Sequence, residues 1–397
     1  MISAKRASLC PVLRNASNTL SQYMLFHSWK AEFNMEQVKS ADPDELLECA
    51  EEEILHFWPQ GRLPHTDKDC RPVYVEKTGK IDVTGLLKIC DMEKLLKWHV
   101  HCTENDSGAL FQSITDKVRE GKMTPPSGAT TVNQGCNILD MEGFALSMFM
   151  GDSKEYLSRV SKISQDYYPE TMGKMFIINA PVMFTAAWSV VQGWLDERTV
   201  NKIAVYGSDY KEALFKQLGG KDKTPVEYGG TWKPASGKGL FSAAVQTTTI
   251  DKSSELVKVV PIKQGERFLS RWWADGDELT YSVTYYPGKE TAAVGDAGGE
   301  EVFKSAMVSK CTGPENITGV KHTPTEPEGT SAGAHLGVYL VRWENAHKGG
   351  WVSSGTRTVT YIAMSKNKVH RAASHLASPP ASPAAGAAAA AESTPAK

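Results

Sequence analysis

The spacing of apolar positions changes along this chain, and the densest of them fall within 164–207, SQDYYPETMGKMFIINAPVMFTAAWSVVQGWLDERTVNKIAVYG. The run 174–180, KMFIINA, is apolar without alternation and carries β-branched residues, which predicts a strand buried on both faces of a parallel sheet. Pro181 suits a first helical position. Beyond it, Val182, Met183, Phe184, Ala186, Ala187, Trp188, Val190, Val191, Trp194 and Leu195 would surround nearly the whole circumference of a helix over 181–195. A helix with no wet side is buried outright, faces a membrane or lies over an apolar cavity. At about fourteen residues it is too short to span a bilayer, which takes about 20.

Around this stretch the periodicity is mostly helical. Helices are expected over 18–33 and 43–57, the second opened by Asp42-Pro43 and ended by Trp58-Pro59-Gln60-Gly61. A turn through HTDKDC then leads to a strand over 72–76. Helices over 84–102 and 108–121, a strand over 132–140 and a helix over 152–167 follow, with Tyr156, Leu157, Val160, Ile163 and Tyr167 at helical spacing. A strand over 201–206 is succeeded by a helix capped by Ser208 and stopped at Gly219-Gly220. Strands alternating with helices predict a parallel or mixed sheet. After Trp232 the texture changes: a Pro, Ser, Gly and Lys-rich linker precedes six short strand-like runs, 255–262, 266–273, 278–288, 301–308, 336–345 and 357–364. In 279–285 the alternation is clean, and a β-sandwich is the expected architecture. Past 368 the Ala, Pro and Ser-rich tail has no core-forming residues and is expected to be disordered.

Composition narrows the function. Lys plus Arg number 44 against 46 Asp plus Glu, so there is no global basic field for nucleic acid. Seven cysteines without paired spacing favour reduced thiols and a cytosolic setting. No run reaches transmembrane length, and the first 20 residues make a poor signal peptide. GxSxG, HExxH and GxGxxG patterns are absent. His99, His101 and Cys102 are spaced to point in different directions on a helix and read as a helix flank, and Asp166 and Glu170 have no nucleophile beside them. No enzymatic activity, metal or cofactor is expected.

The segments HTDKDCRPVY, ILDMEG, 164–207, SDYKEALFKQL and TPVEYGGTW, in that order, closely resemble the CRAL-TRIO lipid-binding domain of phosphatidylinositol/phosphatidylcholine transfer proteins and of tocopherol and retinaldehyde carriers. EPEGTSAGAHLGVYLVRWENAHK resembles part of a GOLD (Golgi dynamics) β-sandwich. The resemblance implies a truncated or divergent helical segment over 1–57, an α/β CRAL-TRIO domain over 58–232 with a mixed or parallel sheet, a lipid pocket and a gate helix, a linker over 233–244, an all-β GOLD-type sandwich over 245–368, and the tail 369–397. It places phosphoinositol headgroup contacts at Glu170, Thr199 and Lys202, and phosphatidylcholine contacts at Tyr74 and Ser164. The gate is lined by Phe184, Trp188, Val191 and Trp194. The arginine with which the family's N-terminal helices help bind phosphate has no counterpart here, and Gly135 stands where a serine is usual.

The implied function is binding of a hydrophobic ligand, phosphatidylinositol or another phospholipid, and its exchange or presentation between membranes. Transient membrane contact would accompany exchange. The bound lipid is the only non-protein group expected, and a protein partner would come through the GOLD domain. Alternatives are a carrier or sensor of a tocopherol- or squalene-like neutral hydrophobe, and a GOLD-based trafficking adaptor. A cytoplasmic protein peripheral to Golgi or endosomal membranes fits all three.

Overall fold

A computed structural model describes residues 24, 27–168, 170–234, 244–276, 278–326, 331, 333–346 and 355–367. Most of the anticipated linker, the tail 369–397 and the first part of the helix over 18–33 lie outside these residues. The first described layer is helical: residues 27–32, then α1 (Met35–Ser40), α2 (Pro43–Leu47) and α3 (Glu51–Phe57). The single helix expected over 43–57 is broken because Glu48 adopts left-handed backbone angles, φ 57°. Asp42 caps α2 through its side chain, accepting from Asp44 N at 2.9 Å.

The chain then enters a five-stranded sheet in the order β1 (Gln60–Thr66), β2 (Pro72–Glu76), β3 (Gly135–Asp140), β4 (Met172–Ile178) and β5 (Ile203–Val205). β1 runs antiparallel to β2 and the other pairs are parallel. The sequence reading treated 60–66 as helix end and turn, because Gly61 and Pro64 mask a strand; Pro64 is tolerated since β1 is an edge. Between β2 and β3 lie α4 (Val83–Ile89), α5 (Met92–His101), a π-helical turn at Cys102–Ser107 and α6 (Gly108–Arg119). The helix expected over 84–102 is two helices because Asp91 starts a new one, accepting from Lys94 N at 2.9 Å. α7 (Asp152–Tyr167) joins β3 to β4, as expected. α8 (Phe184–Gln192) and α9 (Glu197–Asn201) join β4 to β5, and α10 (Lys211–Leu218) follows. α10 ends at Gly219, φ 86°, but starts three residues beyond Ser208 with no side-chain cap.

The C-terminal part is all-β. One sheet has the order β10 (Glu300–Val308), β9 (Leu279–Pro287), β12 (His335–Glu344) and β7 (Glu255–Lys263). The other has β11 (Thr318–His322), β8 (Glu266–Ala274), β13 (Arg357–Asn367) and β6 (Gln246–Ile250). All six expected strands are present, and β6 and β11 are additions. Ile262, Tyr281, Val283, Tyr339 and Trp343 of the first sheet meet Phe268, Trp272, Val359 and Tyr361 of the second in one core, which makes a sandwich.

The outer face of the second sheet is not open to solvent. Leu269, Trp273 and Ile362 share a core with Leu47, Ile54, Phe57, Leu86, Leu95 and Trp98 of the helical layer. Ion pairs ring this junction: Arg267 with Asp42 and Asp44, Arg271 Nε with Glu53 at 2.7 Å, and Lys366 with Asp44 and Glu52 at 2.7 and 2.9 Å. The two lobes are therefore joined by a continuous core.

Candidate functional site

The two faces of the five-stranded sheet are covered differently. Val73, Val75, Cys136, Ile138, Phe176 and Ile178 project to one side, where they bury against Leu214 and Leu218 of α10 and against Tyr210 and Tyr228. Their alternates Tyr74, Asn137, Leu139 and Met175 are only half-buried although helices cross over them. α7 has sixteen residues and an apolar face, yet none of its residues is fully buried. It lies against α5 and the short helix Leu146–Phe149. Tyr74, Asn137, Leu139, Met175 and the apolar face of α7 are thus all left partly accessible.

Several titrating groups of the helical layer, of α7 and of β2 are desolvated. His99 keeps accessible surface, yet burial alone pushes its pKa down to about 4. Cys102, Tyr74 and Tyr156 likewise stay half-accessible while burial pushes their pKa values well up. His99 lies in the last turn of α5 and Cys102 at its end, while buried His101 is bonded to Val38 O at 2.8 Å.

The Tyr74 face of the sheet carries a polar cluster. Tyr74 Oη lies 2.6 Å from Gln60 Oε1 and 2.8 Å from Glu76 Oε2, and Thr78 Oγ1 donates to Glu76 Oε1 at 2.8 Å. One phenolic proton cannot serve two acceptors. Since Gln60 Nε2 has no partner, the amide turned about, with Nε2 donating to Tyr74 Oη, satisfies both groups. Burial raises the Glu76 pKa, and among the described residues no cation pairs with this carboxylate. Trp58 packs edge-on against Tyr156 at 5.3 Å, and the Glu76 charge reaches the Tyr156 phenol. The sequence reading found Tyr74 but missed Glu76, Trp58 and Tyr156. The alternation in PVYVE, which puts Tyr74 and Glu76 on one face, was the available signal.

A second polar group lies where β4 and β5 begin. Lys202 Nζ donates to Glu170 Oε2 at 2.7 Å, and Glu170 takes a left-handed conformation, φ 62°. Asp196 caps α9: Oδ1 accepts from Thr199 N at 3.0 Å and Oδ2 from Thr199 Oγ1 at 2.6 Å. These bonds hold the Asp196 carboxyl below its ordinary pKa. Lys202 N donates to Thr199 O at 3.1 Å and Lys202 O accepts from Met175 N at 3.0 Å, which ties the group to β4. Glu170, Thr199 and Lys202 are thus brought together. Ser164 is half-buried on α7, and no hydrogen bond joins its hydroxyl to Tyr74 among the described residues.

The expected gate helix is shorter than its apolar run. α8 covers Phe184–Gln192, because Pro181, Val182 and Met183 form a turn and the helix closes at Gly193. It also has a wet side: Phe184 and Ala187 are buried, Trp188 and Val191 half-buried, and Val190 exposed. Phe184 meets Phe144 edge-on at 5.6 Å and Trp188 at 6.3 Å. Trp194 lies beyond the helix, stacked on Phe149 at 6.1 Å, with its carbonyl accepting from Gln165 Nε2 at 2.9 Å. Next to α8, Leu146, Met150, Val182 and Met183 are exposed, Val182 to 91%. No helix among the described residues is long and apolar enough to cross a membrane.

These features define an α/β protein with a polar cluster on one face of its sheet and a thinly covered apolar helix beside it. Residues 61–230 match the family model described as the CRAL/TRIO domain. The chain is 33% identical over 230 residues to the Sec14 cytosolic factor of Schizosaccharomyces pombe, 58% of this chain and 74% of that protein. It is 32% identical over 192 residues to the phosphatidylinositol/phosphatidylcholine transfer protein SFH4 of Arabidopsis thaliana, 47% of this chain and 30% of that protein. It is 34% identical over 202 residues to the SEC14 cytosolic factor of Yarrowia lipolytica, 51% and 38% of the respective chains. The chain belongs to the CRAL/TRIO domain family. It spans well under half of the latter two relatives. A solved structure, that of Sfh5, aligns at a TM-score of 0.40 and 19% identity over 52% of this chain and 67% of that one.

Proposed function

We propose that this protein holds one phospholipid in a cavity on the Tyr74 face of the sheet and exchanges it between membranes, with phosphatidylinositol and phosphatidylcholine as ligands. The observation that carries this reading is that the apolar face of α7 and the residues Tyr74, Asn137, Leu139 and Met175 of the sheet are left incompletely buried beside a polar cluster. The transfer activity printed in the name of the Arabidopsis relative supports it. Glu170, Thr199 and Lys202 take the inositol headgroup, while Tyr74 and Ser164 serve choline lipids. Uncompensated Glu76, beside Trp58 and Tyr156, suits a cationic quaternary ammonium group. Phe184, Trp188, Val191 and Trp194 cover the acyl chains, and exposed Val182, Met183, Leu146 and Met150 touch the bilayer. The sandwich, which we read as GOLD-type, leaves the outer face of the β10-β9-β12-β7 sheet for a protein partner, since helices occupy its other side. Mass spectrometry of lipid extracted from the purified protein tests the central reading. One stoichiometric phospholipid is expected; a neutral isoprenoid or an empty cavity refutes it.

A further inference from the structure

Arg62 has no role in this account, and its surroundings give it one. It lies in β1 directly opposite Tyr74, as Gln60 lies opposite Glu76. Residues opposed across an antiparallel ladder share a face, so Arg62 is on the cavity side, while its neighbour Leu63 is buried in the core on the other side. The π-helical turn after α5 brings Ser107 against it: Arg62 Nη2 donates to Ser107 Oγ at 2.7 Å. A guanidinium has five N–H donors in a planar fork, and among the described residues this is the one engaged. Among the described residues no carboxylate forms an ion pair with Arg62. Its charge nevertheless reaches two wall groups, Tyr74 and Cys102, where it opposes the upward push of burial.

The contrast with Lys202 is chemical. Lys202 is already paired with Glu170 at 2.7 Å, so a phosphate must displace a carboxylate to reach it. Arg62 presents a fork to the cavity with its charge unmatched, two residues along the ladder from an equally unmatched Glu76. A half-buried cation without an anion is costly, and a phosphodiester offers the bidentate acceptor that completes it. We propose that Arg62 binds the phosphate of a phospholipid whose headgroup lies against Tyr74 and Glu76, and so selects phosphodiester lipids at the cavity wall. This supplies the phosphate-binding arginine that the N-terminal segment lacks, from a different element. It rests on the phospholipid reading above.

The full-length protein carrying Arg62→Gln tests it, with vesicles of phosphatidylcholine, of phosphatidylinositol, or doped with diacylglycerol of the same chains. Phosphatidylcholine exchange is expected to fall at least tenfold, phosphatidylinositol less because Lys202 remains, and diacylglycerol uptake to stay at the wild-type level. Arg62→Lys keeps the charge without the fork and should recover part of the phosphatidylcholine loss. If Arg62→Gln does not fold, Arg62→Lys alone decides: a severalfold loss confined to phosphatidylcholine supports the proposal. Wild-type phosphatidylcholine exchange by the foldable variant, or equal loss of all three lipids, overturns it. If the wild-type protein takes diacylglycerol but no phospholipid, the underlying reading fails first and Arg62 loses its assignment with it.

Discussion

Replacing Lys202 by Ala separates headgroup recognition from folding, because the two effects differ in size. The Lys202–Glu170 pair spans 2.7 Å, with 24% of the lysine and 56% of the glutamate side chain exposed. Pairs this open contribute about 0–1 kcal/mol to stability once solvent screening is counted. Thermal unfolding should therefore shift by no more than about 4 °C. A charge-assisted hydrogen bond to an inositol phosphate contributes roughly 1.5–3 kcal/mol, or about tenfold to a hundredfold in affinity. Acyl chains move from one apolar setting to another and contribute almost equally for every phospholipid, so this polar contact decides the ranking. Exchange of radiolabelled phosphatidylinositol between vesicles should drop at least tenfold in Lys202→Ala, with diacylglycerol uptake unchanged. Glu170→Ala should lose less, since removing the carboxylate also frees Lys202 for phosphate. Undiminished phosphatidylinositol exchange by Lys202→Ala would refute the headgroup assignment, and equal loss of all lipids with lowered unfolding temperature would show that the change disrupts the β5 junction instead.

Three further outcomes follow from the same geometry. Met150→Asp and Met183→Asp, both at exposed positions, should weaken vesicle binding tenfold or more together, since each buried apolar side chain contributes about 1.5–3 kcal/mol; flotation with vesicles measures this. Arg271→Met leaves Glu53 fully buried without its partner, at a cost of about 3–5 kcal/mol. Burial raises the Glu53 pKa above its unfolded value, so this glutamate favours folding below its unfolded pKa and loses that contribution as pH rises through the folded pKa. The deficit of Arg271→Met in thermal unfolding should accordingly widen from acidic to alkaline buffer. Asp196→Ala removes the α9 cap and should cost about 1 kcal/mol, lowering phosphatidylinositol exchange more than phosphatidylcholine exchange because Thr199 and Lys202 lose their anchor.

What was legible in the sequence divides along physical lines. Strand β4 was readable from its apolar run, although its first four residues are only half-buried, and the sandwich because its strands alternate. β1 was hidden, since Gly61 and Pro64 are turn residues that an edge strand tolerates. Helix breaks at Glu48 and Asp91 turn on single-residue backbone choices that periodicity averages away. The all-round apolar pattern of 181–195 overstated the helix, because Val182 and Met183 form an exposed turn before it. Glu170, Thr199 and Lys202 came from resemblance alone, and the model places them in one hydrogen-bonded group. Arg62 meets Tyr74 only across the ladder of an edge strand, which no local pattern encodes.

Which side of the proposed lipid site opens can be decided from what each would expose. The back wall, with Trp58, Cys102 and Tyr156 on its margin, is continuous with the core shared by Leu95, Trp98, Leu269 and Trp273, and behind it stand the pairs of Arg267, Arg271 and Lys366. Parting it would uncover many large side chains and strand buried charges at about 3–5 kcal/mol each. α8 buries only Phe184 and Ala187 completely. Lifting it into water costs about 1.5–3 kcal/mol for the phenylalanine, and a bilayer surface that accepts Phe184, Trp188 and Val190 returns most of that. Opening at α8 is therefore inexpensive only where lipid is present. A cross-link fixing α8 to β4 should stop exchange while the bound lipid stays in place, and exchange at the wild-type rate in the cross-linked protein would move the gate elsewhere.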